Sequence, residues 1–363
     1  MELKRCLAGT ATLAVVALAG VLGAAHPPVL AAVDPPWQPP PCPEASAGGP
    51  AAPSGTAAAW YRLDPVLDDG GSLAGQRLTL GLIGGPPRHV DLPPESSASG
   101  PVHGSVLVSE DDGTESRLRL LDVGRACETV LARERSVIRG ALLALDGTTA
   151  WEHRVDRATR ADQGVWRRPL AGGVPTRVLA GLPADEAFGP TFVTELSWLA
   201  DGRLGVASCG ERACRTRVLD PATGHTSAFE GTGPLLGVEG DIGVAVSACA
   251  GLPCPIETID LGNGRRRTLL DAAGSAAVDD GVLVFESADG SIAALDLASG
   301  RTRAVAVDHG LLPVRRTSSA TSGAEIAAGS VLLAPGGRLD HPSDGRRLDT
   351  AARTVHRLGE VAP

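Results

Sequence analysis

The amino-acid sequence predicts an all-β protein built from repeated four-stranded units, and three observations carry this prediction. Over residues 57–363, short runs rich in Val, Leu and Ile alternate with turns that contain Gly and Asp, which is the pattern of antiparallel strands. No segment of this region shows a sustained helical period. One turn recurs seven times, at a spacing of roughly 44 residues, and a period of about 40–50 residues with four short strands is typical of a propeller blade. The predicted fold class is therefore a β-propeller of seven blades, with six blades or a β-sandwich as the alternatives.

The recurring turn marks one hairpin in every unit. Its positions are Gly85, Gly124, Gly173, Gly224, Gly264, Gly300 and about Ala352. A single small sheet cannot bury both of its faces, so the units must pack around a common axis, and a closed ring also removes exposed sheet edges. The first unit has a clear hairpin in RLTLGLIGGPPRHVDLP but no obvious innermost strand.

The turns DPATG, DLGNG and DLASG share the form D-x-x-x-G, and the units differ in length. In these two respects the chain resembles the TolB-like and WD-repeat-like propellers that bacteria export, over nearly all of the sequence after Ala57. The resemblance implies the propeller fold. It implies no partner, because the GH…WD signature of true WD repeats and the separate N-terminal α/β domain of TolB are both missing from the pattern.

The N-terminal residues have the pattern of an export signal. Lys4 and Arg5 precede an uncharged run over residues 6–25, and small residues suited to cleavage follow as far as Ala32. We therefore predict a signal peptide over residues 1–32, with an uncleaved anchor as the alternative, because a run of this length can span a bilayer. Residues 33–56, rich in Pro, Gly and Ala, predict an extended linker, and residues 57–363 the propeller domain. The expected location is secreted, or on the outer face of the cytoplasmic membrane.

The seven cysteines favour an oxidising compartment, because loss of Cys6 with the signal leaves an even number. The stretches CGERAC (209–214) and CAGLPC (249–254) repeat one spacing. It places two cysteines opposite each other across a hairpin with a four-residue loop, within disulfide reach. A zinc site is the alternative, although zinc prefers tighter spacing. The predicted disulfides are Cys209–Cys214, Cys249–Cys254 and, from the two cysteines left over, Cys42–Cys127, which would tie the linker to the second unit.

No set of catalytic residues is evident. The stretch SEDDGTES (109–116) resembles the Asp-box of sialidases, but Ser116 replaces the usual closing Trp. Three Asp-Asp-Gly turns lack the alternating ligands of a calcium loop and fit ordinary hairpins, and neither HExxH nor Gly-x-Ser-x-Gly occurs. We therefore expect no metal and no cofactor. A net charge of −9 without a basic stripe argues against nucleic acid.

One stretch, WEHRVDRATRADQGVW (151–166), is dense in charge and bracketed by two tryptophans. It is either a solvated hairpin whose acids and arginines pair or a recognition loop, since guanidinium groups bind carboxylate, phosphate and sugar groups. In a propeller, residues 154–164, 210–213 and 250–253 would each join the second and third strands of consecutive blades, so we expect them on one face. The candidate ligand-binding residues are Arg154, Asp156, Arg157, Arg160, Asp162, Glu211 and Arg212.

The sequence thus favours an exported, non-catalytic propeller that acts as a binding or scaffold module for an envelope protein, a peptide or a glycan. The alternative is a secreted carbohydrate-active enzyme, a lyase or hydrolase with its site on a propeller face, and a purely structural module is the third interpretation. Paired, buried acids in one central pocket would favour the enzyme. We expect a monomer, and membrane contact only if the N-terminal segment is retained.

Overall fold

Seven four-stranded antiparallel sheets make up the protein in its computed structural model. The structure describes residues 36–43, 58–182, 192–199, 201–210, 213–247, 253–315, 317–318, 320–326 and 329–358. Each sheet is one blade of a β-propeller, so the predicted fold class and the count of seven blades are confirmed, and the alternatives of six blades and of a β-sandwich are wrong. Within the described residues, the one helix is the 3₁₀ turn Pro342–Asp344.

The strands of the first three blades follow one another along the chain. Blade 1 contains β1 (Ala59–Leu67), β2 (Leu73–Leu82) and β3 (Arg88–Leu92). Blade 2 contains β4 (Glu95–Val102), β5 (Ser105–Asp111), β6 (Ser116–Asp122) and β7 (Cys127–Glu134). Blade 3 contains β8 (Val137–Leu143), β9 (Thr149–Val155), β10 (Asp162–Pro169) and β11 (Thr176–Leu179).

Blades 4 to 7 continue in the same way, with the first strand of each blade innermost. Blade 4 contains β12 (Phe192–Trp198), β13 (Leu204–Gly210), β14 (Cys214–Leu219) and β15 (Thr226–Glu230). Blade 5 contains β16 (Thr232–Glu239), β17 (Ile242–Ser247), β18 (Cys254–Asp260) and β19 (Arg266–Ala273). Blade 6 contains β20 (Ala276–Asp279), β21 (Val282–Glu286), β22 (Ile292–Asp296) and β23 (Thr302–Ala304). Blade 7 contains β24 (Leu311–Pro313), β26 (Ser330–Pro335), β27 (Arg346–Asp349) and β28 (Val355–Arg357), while β25 (Ser322–Ala324) belongs to blade 1.

Each of the seven predicted turns joins the third strand of a blade to its fourth strand. In the turn after β14, the Asp220 carboxylate accepts the N–H of Ala222 at 2.8 Å, and Gly224 donates its own N–H to the Asp220 carbonyl at 2.8 Å. Gly224 has a φ of 72°, a left-handed conformation that glycine adopts without steric cost. The D-x-x-x-G pattern is therefore local turn chemistry, which recurs in blades 4, 5 and 6.

Clusters of buried aliphatic side chains fill the spaces between neighbouring blades. Between blades 1 and 2, for example, Leu80 and Val106 are fully buried. Alternate residues of a strand point to opposite faces of its sheet, so each strand contributes to the core on both of its sides.

A segment from within blade 7 closes the ring. Between β24 and β26 the chain leaves blade 7, crosses the centre of the ring and forms β25, which pairs with β1 opposite Trp60, Tyr61 and Arg62. We call this segment the strap, and it is described at residues 314–315, 317–318 and 320–326. The strap supplies the innermost strand that the sequence pattern does not reveal in the first unit.

Two of the three predicted disulfides are confirmed. Cys209–Cys214 joins β13 to β14 with its Cα atoms 4.1 Å apart, and Gly210 donates its N–H to the Ala213 carbonyl at 2.9 Å. The turn is therefore tighter than the four-residue loop that we predicted. In the second disulfide, Cys42–Cys127, the Cα atoms lie 4.8 Å apart. For the third pair, Cys249 lies outside the described residues.

Residues 36–43, which belong to the predicted linker, run along the outer rim of blades 1 and 2. The Trp37 N–H donates to the His89 carbonyl at 2.6 Å, and the Cys42 N–H donates to the Glu128 carbonyl at 2.7 Å. The predicted signal peptide and the rest of the linker lie outside the described residues. In the part of the chain that the structure describes, no helix has the length and apolar character needed to cross a membrane.

Candidate functional site

The two faces of the ring carry different connections. We call upper the face that carries the loops between the second and third strands of each blade and the connections between blades; the lower face carries the other turns. The three loops predicted to share a face join β9 to β10, β13 to β14 and β17 to β18, and the described strand ends that flank them belong to the upper face. Glu211 and Arg212 lie outside the described residues.

Arg157 links blade 3 to blade 2. Its guanidinium donates two hydrogen bonds to the Asp111 carboxylate, at 2.9 and 2.5 Å, and its Nε donates to the Arg135 carbonyl at 3.0 Å. The Ser116 hydroxyl also donates to Asp111. Burial alone would raise the pKa of Asp111, but the hydrogen bonds from Arg157 and Ser116 outweigh it and hold that pKa below its usual range. In the stretch 109–116, which resembles an Asp-box, Asp111 therefore has a structural role: it connects blade 2 to blade 3 through Arg157.

Arg154 lies inside a buried network of ion pairs between blades 2 and 3. Glu152 is fully buried and accepts hydrogen bonds from Arg154 at 2.6 and 2.8 Å and from Arg168 at 2.5 Å. Both arginines also bond to Glu134, at 3.1 and 2.6 Å. The Arg154 guanidinium lies 4.6 Å from the centre of the Trp166 ring. Its donors are thus directed into the protein.

Asp162 is buried between blades 3 and 4. It accepts the N–H groups of Gly164 at 2.7 Å and Leu182 at 2.8 Å, and His153 Nε2 lies 3.0 Å from its Oδ1. Burial raises the pKa of Asp162, but the contact with His153 and the two N–H bonds outweigh this effect, so that pKa is lowered. The carboxylate therefore holds the chain after β11 against the start of β10.

Asp156 is bonded to its own turn. It accepts the Thr159 N–H and hydroxyl, each at 2.8 Å, and the Ala158 N–H at 3.1 Å, and the bonds from Thr159 lower its pKa. The turn leaves Arg160 exposed at its tip with a φ of 61°. Of the predicted ligand-binding residues within the described chain, Arg160 is the one cation that is exposed and directed away from the protein.

Two further arginines on the upper face were missed by the sequence analysis. Arg135 lies in the connection between blades 2 and 3, and Arg139 lies near the start of β8; both are exposed. Ile138 pairs with Arg154 and Gly140 with His153, so Arg139 is the extra residue of a β-bulge, a feature that redirects a side chain. No signal in the sequence marks this bulge.

Arg135, Arg139 and Arg160 together form what we call the arginine rim. Over the described chain, none of the three guanidinium groups has a hydrogen bond or an ion pair. By contrast, Arg154, Arg157 and Arg168 on the same blade are bonded to carboxylates. The rim is therefore a set of unpaired cations carried by a frame of paired ones.

The centre of the ring is filled by the strap. A cavity beside the strap measures about 30 Å³ and is lined by residues that include Tyr61, Leu142, Trp198 and Thr317, which is room for a water molecule but not for a substrate. The nearby carboxylate of Glu195 lies 3.7 Å from the Arg315 guanidinium. In the described ranges, no group of three or more His, Cys, Asp or Glu side chains could hold a metal ion.

A wider cleft of about 580 Å³ opens between blades 6 and 7. The outermost strands there, β23 and β28, have three residues each. Arg346 on its wall already donates to the carbonyls of Ser343 and Gly345 and faces Asp308 at 3.6 Å. Its donors are used within the protein, and we assign no ligand to this cleft.

These features define the chain as a seven-bladed propeller with a group of exposed, unpaired arginines on its upper face, and comparison with known proteins bears on the fold. No family model and no curated protein matches the sequence. Among solved structures, a prolyl endopeptidase aligns over 84% of this chain and 49% of its own length, with a TM-score of 0.50 and 14% identity. TolB from Acinetobacter baumannii aligns over 72% of this chain and 66% of its own, with a TM-score of 0.43 and 12% identity. A TolB protein from Agrobacterium tumefaciens aligns over 69% and 89%, with a TM-score of 0.41 and 12% identity.

The β-propeller fold follows from the seven sheets themselves, and the likeness to the prolyl endopeptidase agrees with it. The chain spans about half of the prolyl endopeptidase and about two thirds of the first TolB chain. At identities of 12–14%, the likeness extends to the fold alone, and an activity has to be argued from the site.

Proposed function

We propose that this protein is an exported, non-catalytic binding module whose upper face recognises a carboxylate-bearing partner through the arginine rim. The observation that carries the proposal is the contrast between the two kinds of arginine in and beside blade 3. Arg154 and Arg157 have carboxylate partners within the fold, whereas Arg135, Arg139 and Arg160 are exposed and have none in the described chain. A guanidinium group presents planar paired donors that match a carboxylate.

The frame beneath the rim supports recognition because it limits the entropy lost on binding. Arg157 holds the hairpin of Arg160 against blade 2 through Asp111, and it bonds to the carbonyl of Arg135. Two of the three rim residues are thus positioned by one partly buried ion pair. A site held in place before binding loses less conformational freedom when the partner arrives.

Two observations support binding on a face over catalysis in the channel. The strap occupies the centre of the ring, and the cavity beside it is too small for a sugar residue. Two of the buried acids, Glu152 and Asp111, are bonded to arginines, and the bonds to Asp111 lower its pKa, which does not suit this carboxylate to act as a general acid. The disulfides Cys42–Cys127 and Cys209–Cys214 support export, since such links persist in oxidising compartments.

The test measures binding of the full-length protein to immobilised poly-L-glutamate and to polygalacturonate, with poly-L-lysine as the reference surface. The rim variant Arg135→Gln/Arg139→Gln/Arg160→Gln should bind both acidic polymers at least about tenfold more weakly, because three charge-assisted contacts are lost. Binding by the unaltered protein should also weaken as salt is raised, since the contacts are exposed.

The matched control removes three exposed arginines elsewhere in the ring. Arg265→Gln/Arg301→Gln/Arg303→Gln changes the net charge by the same amount, and its residues lie at or next to the lower-face turns of blades 5 and 6. This control should keep its affinity within about twofold. Equal losses in the two variants, or no binding of either polymer by the unaltered protein, would overturn the proposal.

A further inference from the structure

The hairpin of β1 and β2 extends beyond the rest of the upper face. These are the longest strands in the described chain, with nine and ten residues. Pairing of β3 with β2 reaches only as far as Gln76, and pairing of β25 with β1 only as far as Arg62. Residues 66–75, which we call the arm, are therefore a two-stranded ribbon with no described strand paired to its outer edges, a form that has little stability of its own in water.

The arm carries exposed apolar and acidic side chains at its tip. Leu67 pairs directly with Leu73, and the two side chains are 51% and 47% exposed. The Asp68 carboxylate accepts the N–H groups of Gly70 and Ser72 and so shapes the turn. Asp69 is exposed and has no ion pair within the described chain. The tip of the arm therefore presents an exposed pair of leucines beside one free carboxylate, that of Asp69.

We propose that the arm of one molecule docks on the arginine rim of a second copy, so that two molecules meet upper face to upper face. This inference rests on the proposed function, because it takes the rim as a carboxylate-binding surface and identifies one of its occupants. The carboxylate of Asp69 meets the guanidinium groups of Arg160 and Arg139, and Leu67 and Leu73 pack on the methylene stems of the arginines. It replaces the monomer expected from the sequence.

The topology makes this contact self-complementary. The arm and Arg160 both lie at the tips of hairpins between second and third strands, in blades 1 and 3, so they lie at similar distances from the ring axis. A two-fold axis through the corresponding hairpin of blade 2 exchanges them, and each arm then reaches the partner's rim. At that hairpin Asp112 and Glu115 are paired with Arg117, and Glu115 also with Arg133, so the axis carries no excess of one charge.

The experiment measures the oligomeric state of the full-length protein by sedimentation velocity and by light scattering after gel filtration. At about 100 µM the unaltered protein should be largely dimeric at low salt, with dissociation as salt is raised. The variants Asp69→Arg and Arg160→Asp should each weaken the dimer at least about tenfold, because each places like charges in contact. An equimolar mixture of the two variants should restore dimers, since the exchanged charges are again complementary.

Two further variants test whether the leucines of the arm contribute to the dimer specifically, or whether removing any exposed apolar side chain has the same effect. Leu67→Ser/Leu73→Ser should weaken the dimer, whereas Val174→Ser, which removes a side chain 83% exposed on the lower face, should leave it unchanged. A monomeric unaltered protein, variants that dimerise normally, or a mixture that stays monomeric would each overturn the inference.

The outcome for the proposed function is read separately. Poly-L-glutamate binding is measured on Leu67→Ser/Leu73→Ser, which retains the whole arginine rim. If this variant binds the polymer through the rim while the unaltered protein stays monomeric, only the dimer is overturned. If Leu67→Ser/Leu73→Ser does not bind poly-L-glutamate, the proposed function is overturned as well.

Discussion

Removal of one hydroxyl from the strap should weaken the closed ring. Ser318 is 3% exposed; its N–H donates to the Leu196 carbonyl at 2.8 Å, and its Oγ accepts the Leu196 N–H at 3.0 Å. Leu196 is fully buried in β12, the innermost strand of blade 4. The substitution Ser318→Ala keeps the backbone and Cβ of the strap but leaves the Leu196 N–H without its acceptor, where water cannot replace it.

The loss of stability expected for Ser318→Ala is the free energy lost when one buried N–H group has no acceptor. A buried donor that loses its acceptor destabilises a protein by about 1–3 kcal/mol. With an unfolding entropy of about 2 cal/mol/K per residue, a domain of roughly 300 residues loses about 1.6 °C in melting temperature for each kcal/mol. The expected decrease is therefore about 2–5 °C.

Thermal and urea unfolding measure this effect, with tryptophan fluorescence as the signal. Trp151 and Trp198 lie edge to face at 5.7 Å between blades 3 and 4, so their emission reports on the region that the strap contacts. The control is Ser72→Ala, because Ser72 is exposed in the arm and its hydroxyl makes no hydrogen bond in the described chain; it should stay within about 0.5 kcal/mol of the unaltered protein. If Ser318→Ala melts like the unaltered protein, or if Ser72→Ala loses as much, the strap does not hold the ring in the way we describe.

Three further predictions follow from the same contacts. Arg157→Ala should lower the free energy of unfolding by about 1–3 kcal/mol, because the 5% exposed side chain of Asp111 loses two charged donors; unchanged urea unfolding would contradict this. The pKa of Asp162 is lowered in the folded protein, so its contribution to stability is present above the unfolded value of about 3.9 and is lost as the pH falls through the folded pKa. Melting from pH 7 down to about pH 2.5 should therefore show the unaltered protein losing more stability below about pH 4 than Asp162→Asn does. Cys127→Ser, which releases Cys42 across 85 residues, should cost up to about 4.5 kcal/mol, and a melting temperature equal to that of the disulfide-bonded protein would disprove the link's role.

The sequence predicts the blades well because their turns depend on local chemistry. An Asp that caps its own turn and a Gly with positive φ can be recognised in one short stretch of sequence. The turn from Asp220 to Gly224 has both features. The strap could not be predicted in this way. β25 has only three residues, and its partner Trp60 lies in β1, more than 250 positions earlier in the sequence, so its pairing is fixed by ring closure and leaves no pattern in the sequence.

The candidate site shows the same division between local and distant causes. The sequence marks the loop of Arg160 by its density of charge, but it cannot show that Arg157 is bonded to Asp111, 46 positions away in the neighbouring blade. Nor can it show that Arg139 stands at a bulge, because a bulge is a property of how two strands pair. Charge density predicts that a loop matters, and the pairing of its charges decides which residues remain free.

The paired and the unpaired arginines in and beside blade 3 have different roles, the first in stability and the second in the proposed binding. The buried arginines Arg154 and Arg168 share the carboxylates of Glu152 and Glu134, and loss of one partner would leave an unpaired charge inside the protein. The rim arginines are exposed, so their removal costs the fold little. If the upper face binds a partner as we propose, its specificity can change through exposed residues such as Arg160 while the ion pairs beneath them keep the geometry. A variant at Arg160 should thus alter affinity without altering unfolding, whereas a variant at Arg157 should alter both.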